Sequence, residues 1–257
     1  MNSDHGFLGS VFFSTGINKV KFAIGVMEFA DLSGRAIDYL SEGEQEIYKG
    51  LRVGQRRRQF LAGRYIAKEC VCQDHPSLQR SSINIVNGAW GGPLIHSEHL
   101  QNTLISISHT DNFAAALFSA SNMFPAGMDI EEIRDDQIPS LQNFMSPRER
   151  EILLAENLPY KEALHLMWSA KEAAGKALMV GFNLPEDCYH ISSFASNGNS
   201  FHIGFENLPI LQCIGWLKNN LSVCVAVPSI LSFEKLEIEP ASILAIKTEN
   251  LPFNGHC

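Results

Sequence analysis

Several features that mark large classes of protein are scarce in this sequence. Only six of its 257 residues are cysteine. The sequence has no C-x-x-C pair and no cysteine pair followed by histidines, so it supports neither a zinc site nor a dithiol redox motif. The longest apolar runs, such as residues 223–227, fall far short of the ~20 residues that a membrane-spanning helix needs. The chain opens without a basic segment followed by an apolar one, so we expect no export signal. Reduced thiols, a cytoplasmic location and no membrane partner are therefore predicted.

Basic residues are fewer than acidic ones, and they are unevenly spread. The chain has 20 basic and 28 acidic residues and a formal net charge of −8, but the window 49–68 holds seven basic residues and no acidic one. The seven are Lys49, Arg52, Arg56, Arg57, Arg58, Arg64 and Lys68. Such a window indicates a polyanionic partner, which could be the phosphates of a small ligand, an acidic protein or nucleic acid. The alternative is that the window is a solvated helix face.

The composition, with 45% apolar and 19% charged residues, is typical of a folded globular protein. Periodicity and turn residues predict an alternation of strands and helices, which is a mixed α+β (α/β) fold. Helices are predicted at 41–50, 57–72, from 146 onward and at 160–180. Strands are predicted at 20–27, 83–86, 104–109, 113–119, 126–133, 201–205, 213–217 and 222–227.

A weak internal repeat divides the chain. Residues 40–47 align with residues 145–152 at an offset of 105, sharing a serine, two glutamates and an isoleucine. Each of the two segments precedes a second helix by a similar distance, which favours two similar α+β halves over one continuous sheet. We therefore expect an N-terminal half over 1–122, a C-terminal half over 123–228 and an extension over 229–257, where no clear period is found.

Two carboxylates stand on one face of the predicted strand at 126–133. Because side chains alternate along a strand, Asp129 and Glu131 project together while Met128 and Ile130 turn inward. Neighbouring carboxylates repel each other unless a cation lies between them or one is protonated. A hard divalent ion, Mg²⁺ first, would explain the pair, and an exposed strand edge with solvated acids is the alternative.

A second constellation lies on the predicted helix 160–180. Trp168, Glu172 and Lys176 follow one another at four-residue spacing and therefore share a face. A glutamate–lysine pair at this spacing is often only a surface salt bridge, but the tryptophan and the small residues 173–175 indicate close packing. Glu172 would supply a third carboxylate near Asp129 and Glu131, with Lys176 placed to meet phosphate charge.

A third segment, Ser108–His109, ends the predicted strand 104–109. Both side chains can donate hydrogen bonds to an anion, although sequence neighbours in a strand point to opposite faces. No G-x-S-x-G elbow or acidic partner supports a serine hydrolase. By itself such a segment is more often structural than functional.

Taken together, these segments resemble the 4′-phosphopantetheinyl transferases, in particular the larger, pseudo-dimeric group that serves surfactin-type synthetases and polyketide or fatty-acid synthases. The resemblance runs from about residue 41 to 227, and Met128 departs from the commoner valine or isoleucine. The matching motifs are 57–64 (RRQFLAGR), 92–93 (GP), 106–109 (SISH), 127–131 (GMDIE) and 168–172 (WSAKE) with Lys176.

The resemblance implies two similar halves related by a pseudo-two-fold axis, each a small sheet packed with helices, in a monomer. It implies transfer of the 4′-phosphopantetheine arm of coenzyme A to a serine of an acyl or peptidyl carrier protein, with Mg²⁺ or Mn²⁺ required and 3′,5′-ADP released. The carrier could be a domain of a polyketide, polyunsaturated fatty acid or nonribosomal peptide synthase.

The resemblance also implies a role for each candidate residue. Asp129, Glu131 and Glu172 would hold the metal, and Glu172 and Lys176 would be catalytic, with Glu172 as a candidate base. The adenosine phosphates of coenzyme A would be met by Arg58, Arg64, Ser108, His109 and Lys176.

Two other functions fit the same residues. One is a Mg²⁺-dependent phosphohydrolase acting on coenzyme A or a nucleotide, and the other is a non-enzymatic module that binds a carrier protein. Nucleic acid is disfavoured as a partner because aromatic residues are not interleaved with the basic window and the isoelectric point is about 5.6.

Overall fold

The computed structural model describes residues 6–29, 32–155, 158–181 and 183–238. Twelve strands lie in these ranges, and no helix within them is both long and apolar enough to cross a membrane. The strands are β1 (Gly6–Ser14), β2 (Lys19–Glu28), β3 (Asn84–Asn87), β4 (Pro93–His96), β5 (Leu104–His109), β6 (Phe113–Ser119), β7 (Gly127–Glu132), β8 (Ile191–Asn197), β9 (Ser200–Phe205), β10 (Leu211–Lys218), β11 (Leu221–Pro228) and β12 (Ser232–Ile238).

Six α-helices accompany these strands in the described ranges. They are α1 (Ala36–Tyr39), α2 (Glu42–Gly50), α3 (Gly54–Asp74), α4 (Ile138–Asn143), α5 (Pro147–Ala155) and α6 (Tyr160–Ala177). Helices α2 and α5 begin close to their predicted starts, and each opens with a capping box, in which a serine and a glutamate three residues later bond to each other's backbone N–H. Their starts are therefore fixed by local sequence.

The strands form two five-stranded antiparallel sheets and a small hairpin. The first sheet has the order β12-β1-β2-β6-β5, the second has the order β7-β11-β10-β9-β8, and β3 pairs with β4. Helix α3 packs on the first sheet and α6 on the second. This confirms the predicted mixture of helices and sheets in two halves.

Three apolar cores hold this arrangement together. One lies between α3 and the first sheet, and another lies between α6 and the second sheet. The third is formed where the two sheets face each other, with Phe22 and Ile24 of β2 and Met128 and Ile130 of β7 among its buried side chains. Because β5 and β7 also lie side by side, the edge of one sheet meets the edge of the other.

Several elements differ from the sequence-based prediction. Strands β1, β4, β8 and β12 were not predicted, and α6 ends at Ala177 rather than near 180. Strand β12 lies in the segment predicted to be an extension, and it pairs with β1 at the edge of the first sheet. The rest of that segment, 239–257, lies outside the described residues.

Five of the six cysteines lie in the described residues. Cys70, Cys72, Cys188, Cys213 and Cys224 are all free thiols. Cys257 lies outside the described residues.

Candidate active site

Strand β7 places its side chains as their alternation predicts. Met128 and Ile130 are buried in the core between the sheets, and Asp129 and Glu131 face the other way. Asp129 is nevertheless only 3% exposed. The alternative of a solvated acidic strand edge is therefore wrong for Asp129, because a carboxylate is seldom buried unless it has a partner.

The approach of β7 to α6 depends on a glycine. A Cβ atom added at Gly127 would lie 2.2 Å from the carbonyl oxygen of Ala173 and 2.4 Å from the nitrogen of Ala177. Only glycine lets the strand come so close to the helix backbone. This contact brings the face of β7 that carries Asp129 against the helix that carries Glu172 and Lys176.

Asp129 lies at the centre of the resulting cluster. Its Oδ1 accepts hydrogen bonds from Lys176 Nζ at 2.6 Å and from Ser108 Oγ at 2.7 Å. Its Oδ2 is buried and has no hydrogen-bond partner among the described residues. Because Ser108 belongs to β5 in the other half of the chain, the cluster lies at the junction between the halves.

Glu131 and Glu172 complete the group of acids. Trp168 Nε1 donates to Glu131 Oε1 at 3.0 Å, and the Trp168 ring packs on Phe144 with 4.8 Å between ring centroids. Burial, followed by the nearby charge of Asp129, raises the pKa of Glu131 to about 8. The same two causes, in the same order, raise the pKa of Glu172. The charges of these carboxylates therefore repel one another in a site that is partly withdrawn from water.

These acids fit a divalent cation by their chemistry, although they do not yet form a complete site. In the described part of the chain, no three His, Cys, Asp or Glu side chains are already arranged to hold a metal ion. The ammonium group of Lys176 supplies the cation at Asp129 Oδ1, whereas Asp129 Oδ2 lacks a partner. A hard cation such as Mg²⁺ prefers oxygen ligands, and it would relieve the repulsion between neighbouring carboxylates. Asp129, Glu131 and Glu172 therefore fit such a cation.

Strand β5 is joined to β7 through serine hydroxyls. The backbone N–H of Met128 donates to Ser106 Oγ at 3.1 Å, and that of Ile130 donates to Ser108 Oγ at 3.4 Å. His109 follows at the end of β5, where loss of hydration and the nearby Lys176 ammonium group lower its pKa. The structure thus brings Ser108 into the acidic cluster and His109 close to Lys176, while their contact with coenzyme A phosphates stays a prediction.

The basic window does not form one continuous charged surface. Lys68 is fully buried against Glu44, and Arg64 Nε lies 3.2 Å from Glu44 Oε1 with the Arg64 side chain 11% exposed. The guanidinium group of Arg57 stacks over Tyr48 at 4.1 Å. Glu44 precedes the acid-free window in sequence, so counting charges within the window overestimated how many cations were available.

Only part of the window remains on the surface of the protein. Arg52, Arg56 and Arg58 are exposed. Arg58 is followed by Gln59, whose side-chain amide donates to the carbonyl oxygen of Thr110, the residue after His109. Arg58 therefore lies in the part of α3 that adjoins His109, whereas the charge of Arg64 is directed to Glu44.

A cavity of about 390 Å³ opens beside the cluster. Lys176 and Ser106 contribute polar groups to its wall, and the loop at Gly92–Pro93 forms one side. Trp90 and Met179 also line it, although neither was among the predicted site residues. Trp90 lies in a loop and Met179 follows the end of α6, so only their positions in space could reveal them.

Comparison with known proteins agrees with this arrangement. The family model of the 4′-phosphopantetheinyl transferase superfamily matches residues 125–226, which contain β7 and α6. An enterobactin synthase component D from Salmonella typhi is 32% identical over 151 residues, covering 54% of this chain and 62% of the relative. The chain thus spans about six-tenths of the length of that curated relative.

Smaller proteins match over more of their own length. A holo-[acyl-carrier-protein] synthase from Onion yellows phytoplasma is 32% identical over 90 residues, covering 30% of this chain and 71% of the relative. A solved structure of a holo-(acyl-carrier-protein) synthase from Bacillus anthracis is 27% identical and covers 38% of this chain and 91% of its own, but its TM-score of 0.35 is too low for a comparison of sites. On the family model and the phytoplasma relative together, the chain belongs to the 4′-phosphopantetheinyl transferase superfamily.

Proposed function

We propose that this chain transfers the 4′-phosphopantetheine arm of coenzyme A to a serine hydroxyl of a carrier protein, in a Mg²⁺-dependent reaction that releases 3′,5′-ADP. Membership of the superfamily supports the reaction class. The observation that carries the proposal is the convergence of Asp129, Glu131, Glu172 and Lys176 beside an open cavity at the junction of the halves. This combination of acids, a cation and a cavity suits a substrate that carries phosphate.

The proposed reaction balances as a substitution at phosphorus. The serine oxygen of the carrier forms a bond to the β-phosphorus of coenzyme A, and the bond from that phosphorus to the bridging oxygen breaks, so that 3′,5′-ADP leaves. Glu172 is the candidate base that accepts the serine proton. Asp129, Glu131 and Glu172 would hold the divalent cation, which when bound offsets negative charge on the pyrophosphate.

Lys176 has two positions in this proposal. In the structure, its ammonium group is hydrogen-bonded to Asp129, and its side chain also lines the cavity. We infer that it turns from Asp129 to the leaving phosphate when coenzyme A occupies the cavity. A flexible lysine stem permits such a change, and the ammonium group then stabilises the developing charge.

The adenosine phosphates of coenzyme A are proposed to bind where α3 meets the end of β5. Arg58 is exposed there, and an arginine offers a bidentate fork to a phosphate. His109 is proposed as a further donor, and the position of Ser108, which already donates to Asp129, supports a part in orienting that carboxylate. Arg64 is committed to Glu44, so we do not place it on a phosphate.

The carrier protein is proposed to dock on the exposed cations of the same region. Arg56 lies two residues before Arg58 on α3, Arg52 lies just before the start of that helix, and both are exposed on the surface of an otherwise acidic chain. A local positive surface attracts an acidic partner and raises the association rate even when both proteins carry net negative charge.

Intact-mass measurement on a carrier protein tests the proposed function directly. Apo carrier proteins are incubated with the chain, coenzyme A and Mg²⁺, with Asp129→Asn as the matched inactive control. A mass gain equal to one phosphopantetheine arm is expected with the wild-type chain only. Release of 3′,5′-ADP without a mass gain would instead identify a phosphohydrolase, and carrier binding with no chemistry would identify a binding module.

A further inference from the structure

The turn that follows Ser108 and His109 is tied to the far end of β7. Glu132 accepts a hydrogen bond from Thr110 Oγ1, and it also accepts from the backbone nitrogen of Asn112 at 3.1 Å and from its Nδ2 at 2.8 Å. Both carboxylate oxygens of Glu132 are therefore engaged by the turn. Glu132 is the third acidic residue of β7, yet its bonds set it apart from the proposed metal ligands.

A second connection between the same two segments runs through Asp111. Arg134 Nη1 donates to Asp111 Oδ2 at 2.9 Å, while the other side of the guanidinium group is held by Asp136. The backbone nitrogen of Arg134 donates to Nε2 of the buried His165 at 3.2 Å. Arg134 is thus anchored in the C-terminal half when it reaches across to the turn.

Helix α3 holds the turn from its other side. Gln55 Nε2 donates to Asp111 Oδ1 at 2.8 Å, and Gln59 Nε2 donates to the carbonyl oxygen of Thr110 at 3.3 Å. The turn 110–112 is therefore clamped between the helix that carries Arg58 and the strand that carries the acidic cluster. A displacement of the turn would shift His109, the residue that precedes it, relative to Asp129 and Arg58.

From these contacts we infer that Glu132 is a positioning residue: it fixes the turn 110–112 to β7 and so keeps the Ser108–His109 end of β5 aligned with the acidic cluster for binding of the coenzyme A phosphates. This inference rests on the proposed function. Charge-assisted hydrogen bonds to a carboxylate are among the stronger ones in proteins, and three of them converge on Glu132. The carrier surface at Arg52 and Arg56 does not depend on this carboxylate.

Calorimetric titration of coenzyme A tests the inference separately from transfer. For Glu132→Ala we expect binding of coenzyme A to weaken about ten-fold, a loss of the size expected when several hydrogen bonds to one charged group are removed. Glu132→Gln keeps an acceptor for Thr110 and Asn112 and should restore most of the affinity. In transfer assays, the KM for coenzyme A should rise while the KM for the carrier stays unchanged.

The control is Glu206→Ala, which removes an exposed glutamate that pairs with Arg148 elsewhere in the C-terminal half. It should leave coenzyme A affinity at the wild-type value. Asn112→Ala removes the side chain that donates to Glu132 from the turn. If Glu132→Ala does not fold, this variant tests the positioning role instead. Combined with Glu132→Ala, it should show non-additive losses, because both changes remove the same contact.

Two negative results have different meanings. A wild-type chain that neither binds coenzyme A nor modifies a carrier overturns the proposed function, and this inference with it. A wild-type chain that binds coenzyme A, while Glu132→Ala or Asn112→Ala binds it equally well, overturns the positioning role alone. Equal losses of coenzyme A and carrier affinity would also overturn it, because that result indicates general damage to the fold.

Discussion

In the N-terminal half, one buried carboxylate joins a helix start, a second helix and a strand. Glu44 accepts from the backbone nitrogen of Ser41 at 2.8 Å and from that of Ile85 at 3.2 Å. The ammonium group of Lys68 forms an ion pair with Glu44 and donates to the carbonyl oxygen of Tyr39 at 2.6 Å. Glu44 and Lys68 are both fully buried, and each has partners for its charge.

The C-terminal half repeats this network contact by contact. Glu149 accepts from the backbone nitrogen of Ser146 at 2.8 Å and from that of Ile191 at 2.9 Å. Lys171 Nζ lies 2.9 Å from Glu149 Oε1 and donates to the carbonyl oxygen of Phe144 at 2.7 Å. Because both halves have the network and only one has the acidic cluster, the network is a scaffold and not part of the chemistry.

The halves differ at the strand that faces the long helix. Strand β2 corresponds to β7, since each packs against the long helix of its half and pairs antiparallel with a later strand of that half, β2 with β6 and β7 with β11. Where β7 carries Asp129, β2 has Gly25, and a Cβ atom there would lie 2.6 Å from Ile66 Cδ1. The N-terminal half thus fills with apolar packing the place that the C-terminal half uses for a carboxylate.

The helices show the same division. Lys68 is followed by Glu69, as Lys171 is followed by Glu172. Glu69 is neutralised by Arg80, whose Nη2 donates to its Oε2 at 2.9 Å, whereas burial and the charge of Asp129 raise the pKa of Glu172. The repeated scaffold therefore holds an excess of acids in the C-terminal half, while the corresponding glutamate of the N-terminal half is neutralised.

The largest expected effect comes from the acids that only one half has. Asp129→Ala and Glu172→Ala should each lower carrier modification at least about a hundred-fold, because a preorganised charge is lost from the site. Intact-mass time courses measure the loss, and thermal unfolding confirms that the fold remains. Glu69→Ala, the matched change in the other half, should retain activity. Full activity of Asp129→Ala would contradict the assignment of Asp129 as a metal ligand.

The second-largest effect is expected for the two buried lysines, one in each half. Lys68→Met and Lys171→Met each leave a fully buried glutamate without its lysine, which should lower the free energy of unfolding by about 3–5 kcal/mol. We expect the smaller loss for Lys68→Met, because Arg64 also contacts Glu44. Urea denaturation gives both values. A cost under about 1 kcal/mol at either site would show that the pair is not a structural anchor.

A smaller effect on stability is expected at Gly25, where the N-terminal half has apolar packing. Gly25→Ala should lower the free energy of unfolding by about 1–3 kcal/mol, because the added methyl group meets the side chain of Ile66 in a packed core. Gly34→Ala is the control, since nothing lies within 4 Å of a Cβ atom at that position. If the two variants unfold at the same urea concentration, the space at Gly25 is not filled as described.

Sequence alone could predict the parts of this molecule that depend on local patterns. The bounds of β5 and β6 were predicted without error, because alternation and the Thr110–Asn112 turn mark both strands. The alignment of residues 40–47 with 145–152 predicted a repeat, and the equivalent hydrogen bonds of Ser41 with Glu44 and of Ser146 with Glu149 agree with it.

Other parts depend on contacts between distant segments. Strand β1 is buried almost throughout and pairs with β12 near the other end of the chain, so neither strand shows a clear alternation. The commitment of Arg64 depends on Glu44, which is supplied by a different helix. The role inferred for Glu132 likewise depends on a turn in the opposite half, so its sequence position beside Glu131 could not separate the two glutamates.

The smallest expected effect concerns what the N-terminal half contributes to the site. Arg58→Ala should weaken binding of coenzyme A about five-fold and leave binding of 3′-dephospho-coenzyme A nearly unchanged, since one exposed arginine–phosphate pair contributes about 1 kcal/mol. Calorimetry with the two ligands measures the difference, and Arg56→Ala is the neighbouring control. Equal losses for both ligands would mean that Arg58 does not contact the 3′-phosphate, and the N-terminal half would then contribute position rather than charge.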